Sequence, residues 1–339
     1  MYQMKRINWK LNLLIICIGL FVAYTENNNT EESSSPNINA ELSELKDQII
    51  SNPYNPELYM NRAQYYLQQN ETHIALKDIN KAIELDSTNY NYRRLRAKVH
   101  FGHENFHLAI KDLEFCHNVA PEDSSINLHL AKLNMYVGKY EEAFKHINGI
   151  LKVNVHHAEA YFLKGYAYKE LKDTNRAMSA FQTAVEQNPD YYEAYMQMGL
   201  LSTQRYSEFG EDYFNNALRI HPESKEALYG LGVFQQRTGQ AQKAIKTYRK
   251  IILLDNQYEN AFYNIGYIYI QLDSIEKAKR FFNMCIEVAP YNANAFYNRG
   301  ICNEKLGNFD AAKKDFNQAI QFNSDHELAN EAAKRFNKE

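Results

Sequence analysis

Small and aromatic residues recur along this chain in phase, every 34 residues. The clearest column reads Ala63, Ala97, Ala131, Gly165, Gly199, Gly232, Gly266 and Gly300, each step being 34 except the 33 between Gly199 and Gly232. A second column follows in register: Ala75, Ala109, Ala143, Ala177, Gly210, Ala244, Ala278 and Ala312. A third reads Ala82, Cys116, Ile150, Ala184, Ala217, Ile251, Cys285 and Ala319, and prolines at Pro121, Pro189, Pro222 and Pro290 close four of the periods. A period of this length marks a stack of identical units, none of which can bury its apolar flank alone. The helical spacing within each unit predicts a helix pair over 56–89, 90–123, 124–157, 158–191, 192–224, 225–258, 259–292 and 293–326.

Turn signals such as Val137-Gly138, Thr238-Gly239 and Leu306-Gly307 end the first helix of a pair. The small columns let helices approach closely, so leucine at Ala177 or Gly266 is expected to overpack the seam by about 1–3 kcal/mol. The fifth unit lacks one residue between Gly199 and Gly210, which predicts a shortened turn near Tyr206 to Glu208. Ala40 to Ser51 carries Leu42, Leu45, Ile49 and Ile50 at helical spacing, and residues 40–55 are expected to cap the first unit. Residues 327–339, with Leu328, Ala332 and Phe336 on one stripe, are expected to cap the last.

The series Tyr161-Gly165-Tyr168 followed by Ala177-Phe181-Ala184-Pro189 resembles the tetratricopeptide repeat family, and the resemblance covers residues 56–326. It implies an all-α fold: a right-handed α-solenoid superhelix of about eight helix-turn-helix repeats with N- and C-terminal capping helices. Its first helices would line a concave groove that receives extended or helical peptides. The chain, with its leader, resembles exported Bacteroidota-like lipoproteins of this family. The chain departs from the pattern at Arg93 and Asn127, where a large apolar residue is usual. His100, Asn134, Ser202, Gln235 and Asn303 replace the first-helix tyrosine.

At 339 residues the chain exceeds a typical single globular domain, a limit that a stack of repeats evades. A net charge of -3 supplies no basic field for nucleic acid. Residues 1–24 read as a signal peptide or membrane anchor: Lys5, Arg6 and Lys10 precede an apolar run from Leu11 to Tyr24, too short to span a bilayer. Leu20-Phe21-Val22-Ala23 looks like the start of a lipobox, but Tyr24 stands where the lipidated cysteine would be. Residues 25–39 form a polar, low-complexity tether. The expected location is the periplasm or envelope membrane, with membrane contact only through the leader.

No phosphate loop, nucleophile elbow or zinc-protease motif is present, so no catalysis and no cofactor is expected. The candidate site is the groove. Counted along the first helices, its lining comprises Arg94, Lys98 and Lys132 toward the N-terminus, then Phe162, Tyr166, Tyr229, Tyr263, Tyr267 and Tyr297. Tyrosine offers apolar area with a hydroxyl handle. The family resemblance adds Asn61, Asn264 and Asn298 as holders of a peptide backbone. The expected partners are other proteins or peptides with apolar side chains and acidic residues toward the second repeat; self-association through the solenoid ends is a further option. Eight of the eleven histidines fall between His100 and His157, which leaves a metal- or ligand-binding module as the alternative. Cys285 and Cys302 lie on neighbouring helices and read as small buried residues.

Overall fold

The computed structural model describes residues 38–205 and 208–336. The expected leader (1–24), residues 25–37 of the tether, Cys17 and residues 206–207 of the shortened turn lie outside the described residues. Among the described residues the chain has eighteen helices and no strand. It divides into two compact units at the Gln187–Asn188 junction.

The first unit opens with α1 (Ile38–Ser51), which takes in Ile38 and Asn39 from the expected tether and packs on α2 (Pro56–Gln68). The chain continues through α3 (Thr72–Leu85), α4 (Tyr90–Gly102), α5 (Phe106–Val119), α6 (Ser124–Tyr136), α7 (Tyr140–Val153), α8 (Ala158–Glu170) and α9 (Thr174–Gln187). The second unit holds α10 (Tyr192–Arg205), α11 (Gly210–Ile220), α12 (Lys225–Arg237), α13 (Ala241–Leu254), α14 (Glu259–Gln271), α15 (Ile275–Val288), α16 (Ala293–Lys305), α17 (Phe309–Phe322) and α18 (Glu327–Phe336). Within each unit every helix packs on the next in sequence, the arrangement of an α-solenoid. First helices of successive pairs also touch, α6 with α8, α10 with α12 and α14 with α16.

Local chemistry sets the helix ends. Five first helices start on short polar side chains that accept backbone N–H groups: Asn55 from Glu57, Asn89 from Asn91, Asp123 from Ser125 and Ile126, Ser224 from Ala227, Asn292 from Ala295. They stop on a residue with positive φ, at Asn70, Glu104, Gly138, Lys172, Gly239, Asp273 and Gly307. The following N–H then reaches back to the helix, as Lys139 N does to Asn134 O at 2.7 Å and Gln240 N to Gln235 O at 2.7 Å.

The core lies between the helices of each pair, and size is matched across it. Ala63, Ala97 and Ala131 share the pattern position of Gly165, Gly199, Gly232, Gly266 and Gly300; all are buried. Where the first helix has alanine, the second carries Ile79, Leu113 or Ile147; where it has glycine, the second carries Phe181, Phe214, Tyr248, Phe282 or Phe316. A Cβ at Gly165 would sit 2.7 Å from the Phe181 ring, one at Gly232 2.6 Å from Tyr248, and one at Gly300 2.7 Å from Phe316. The missing methyl is the space the ring occupies.

Four of the departures from the repeat pattern find a partner locally, while the buried His100 Nδ1 and Ser202 Oγ have no hydrogen-bond partner among the described residues. Arg93 lies over the Phe115 ring at 4.0 Å and 3.7 Å from Asp112. Asn134 donates to Leu130 O, Asn303 to Asp315, and Gln235 accepts from Thr247.

Candidate functional site

In the first unit the expected groove residues separate. Asn61 on α2 is exposed, and Arg94 and Lys98 on α4 are half-buried. Burial lowers the pKa of the Lys98 ammonium. Lys132 does not form an open basic patch with them. Its side chain is 2% exposed and donates to Glu159 on α8, because a buried ammonium needs a carboxylate. Phe162 and Tyr166 on α8, expected to line the groove, are buried instead. Phe162 packs 5.6 Å from Phe181 on α9. Tyr166 lies beneath the Lys169 ammonium at 4.7 Å, and burial pushes its hydroxyl up to about 12.

The second unit arranges its tyrosines differently. Tyr229 on α12, Tyr263 on α14 and Tyr297 on α16 each rest against the second-helix aromatic of their own pair: Tyr248 at 6.0 Å, Phe282 at 5.7 Å and Phe316 at 5.9 Å. Tyr263 is buried by this; Tyr229 and Tyr297 remain half-buried. The asparagines face inward to serve these rings. Asn264 donates to the Tyr229 hydroxyl at 3.4 Å, and Asn298 to the Tyr263 hydroxyl at 2.9 Å. Asn298 spends its second N–H on Asn294 O at 2.9 Å, so only its carbonyl oxygen is uncommitted. Tyr267 is 37% exposed, one turn beyond Tyr263 on α14. Half-buried Val233 on α12 and Ile301 on α16 share its pattern position.

One constellation escaped the sequence reading. Arg62, Arg96 and Arg299, in the first helix of their pairs, each grip an aspartate 16 residues on, with two bonds of 2.6–3.0 Å to Asp78, Asp112 and Asp315. Arg96 and Arg299 also reach back to Asn80 and Asn283 of the preceding pair. The signal was present: arginine and aspartate occur together at these positions and are absent together from the other pairs.

The histidines do not assemble a metal centre. Among the described residues no three His, Cys, Asp or Glu side chains converge where an ion could sit. Cys116, Cys285 and Cys302 are free and buried, and burial pushes their thiols up to about 11, 12 and 12.

Family models described as tetratricopeptide repeat match residues 56–89, 158–191, 226–254, 259–292 and 293–326. The human mitochondrial import receptor subunit TOM70 is 23% identical over 236 residues, 64% of this chain and 38% of its own length. Anaphase-promoting complex subunit 3 of Schizosaccharomyces pombe is 23% identical over 121 residues, 35% of this chain and 18% of its own. The chain thus spans well under half the length of these relatives. A tetratricopeptide repeat protein of known structure from Parabacteroides merdae, 18% identical, superposes with a TM-score of 0.51 over 72% of this chain and 97% of its own.

Proposed function

The chain is a tetratricopeptide-repeat protein, and on that premise we propose that its first-helix faces hold peptide segments of partner proteins. Proteins of this family act as scaffolds for other proteins rather than as enzymes, and relatives named as a receptor subunit and as a complex subunit fit that role. The observation that carries the reading is Tyr267, a large aromatic left 37% exposed on α14 with half-buried Tyr229, Asn264 and Tyr297 in the same unit. An exposed tyrosine held on a rigid helix loses little entropy on binding and offers both a ring and a hydroxyl, the profile of an interaction anchor. This face takes apolar or aromatic side chains. In the first unit Arg94 and Lys98, half-buried and with no ion pair among the described residues, favour an acidic residue. The basic and apolar leader followed by a polar stretch supports export and tethering at a bacterial envelope.

One experiment reads both claims. A photoreactive benzoylphenylalanine is placed at position 267, or at position 250 on second helix α13, in the native cell. The reading expects a partner adduct from 267 and none from 250, in the envelope fraction, on a chain that has lost the residues before about Glu26. Equal adducts from both positions would overturn the binding face; a full-length chain in the cytoplasmic fraction would overturn export.

A further inference from the structure

Where α5 meets the α6–α7 hairpin, three polar side chains occupy positions that the other pairs fill differently. His117 stands where other pairs carry Ile83, Leu151, Val185 or Ile252, and Asn127 where they carry Tyr161, Tyr195 or Phe262. His146 takes the position of the arginine-bound Asp78, Asp112 and Asp315. Asn127, 1% exposed, donates its amide hydrogens to Pro121 O at 2.8 Å and Asp123 O at 3.0 Å. Its oxygen can therefore only accept, and His146 Nδ1 donates to it at 3.0 Å. The His117 ring meets His146 edge-on at 5.0 Å, and its buried Nδ1 has no hydrogen-bond partner.

Among the carboxylates around this pair, Glu142 raises the His146 pKa, but less than burial lowers it. On α7, Glu142 pairs with Lys145 at 2.7 Å. On α5, Asp112 is held by Arg96 and Arg93, while Lys111 and Glu114 are exposed. At the start of α6, the Asp123 carboxylate accepts the Ser125 and Ile126 N–H groups.

We propose that this seam is an acid-operated joint within the first unit: protonation of His146, packed against His117 and bonded to Asn127, admits water and loosens α5 from the α6–α7 hairpin. Arg94 and Lys98 lie before the joint and Lys132 after it, so acid also rearranges the first-helix face of this unit.

Burial first, and His117 second, lower the His146 pKa from 6.5 to about 4. The unfolded chain takes its proton near 6.5, so the stability present above that pH is lost as pH falls through about 4. His100 and His129, on the adjoining first helices, are lowered in the same direction, chiefly by burial.

Amide hydrogen exchange of the full chain at pH 7 and 4.5, corrected for intrinsic rates, tests the joint. The expected result is opening on the order of tenfold greater at pH 4.5 across α5–α7. In His117→Leu, which restores the apolar residue of the other pairs, that increase should fall below about threefold. Exposed His73→Leu should behave as the intact chain. The same acceleration in His117→Leu, or none confined to α5–α7 in the intact chain, would overturn the proposal. Should His117→Leu fail to fold, ¹³C-histidine NMR of the intact chain decides: His146 titrating near 4 upholds the joint, and titration near 6.5 overturns it.

Discussion

A single methyl group decides what can face it across each helix pair. Gly300 leaves room for Phe316, and the ring sits where a Cβ would come within 2.7 Å. Gly300→Ala is therefore expected to destabilise by about 1–3 kcal/mol, the strain outweighing the roughly 1 kcal/mol that alanine adds to a helix. Combining it with Phe316→Ile, the alanine and isoleucine pairing of Ala63 and Ile79, should recover most of that loss. Urea unfolding of the single and double variants measures the coupling. The small column itself was legible because its period is fixed. Its correlation with the ring column was equally present in the sequence, but only the geometry shows why the two vary together. Side-chain partners were the least legible. The Asn298 to Tyr263 bond spans 35 residues, and Lys132 reads as a surface charge until Glu159 is seen beside it.

The helices themselves were predictable because each pair repeats the same helical spacing of small and aromatic residues. Gly138, Gly239 and Gly307 announce three of the first-helix ends, whereas the Asn, Asp and Ser caps at five starts emerge only from the structure. The equivalent stops at Asn70, Glu104, Lys172 and Asp273 carry no such mark, although they adopt the same left-handed backbone. Two of these four, Glu104 and Lys172, lack the short polar side chain that eases a conformation costing other L-residues about 1–2 kcal/mol. Lys172, at φ 64, can be relieved. Lys172→Gly should stabilise the first unit by about 1 kcal/mol, less the entropy glycine adds to the unfolded chain, and raise the melting temperature in a calorimetric scan. An unchanged or lowered melting temperature would show that the turn holds no strain.

At the scale of the whole molecule the 34-residue phase runs through the Gln187–Asn188 junction, from Gly165 to Gly199, without a missing or extra residue. The division into two units was therefore not legible in the spacing. The site was legible in part. The aromatic bias of the second unit is real, yet stacking on the second helices and the asparagine bonds turn Tyr263 inward and leave Tyr267 as the exposed ring. On the proposed function, this ring anchors a partner peptide. The most direct measurement is the dissociation constant of a peptide selected from a random display library on the intact chain. Fluorescence anisotropy would compare that chain with Tyr267→Ala and with Tyr291→Ala, a control whose ring is 79% exposed in a loop. Binding is expected to be roughly 5- to 30-fold weaker in Tyr267→Ala, about 1–2 kcal/mol, with unchanged melting temperatures and no loss in the control. Equal affinity in all three proteins would contradict it.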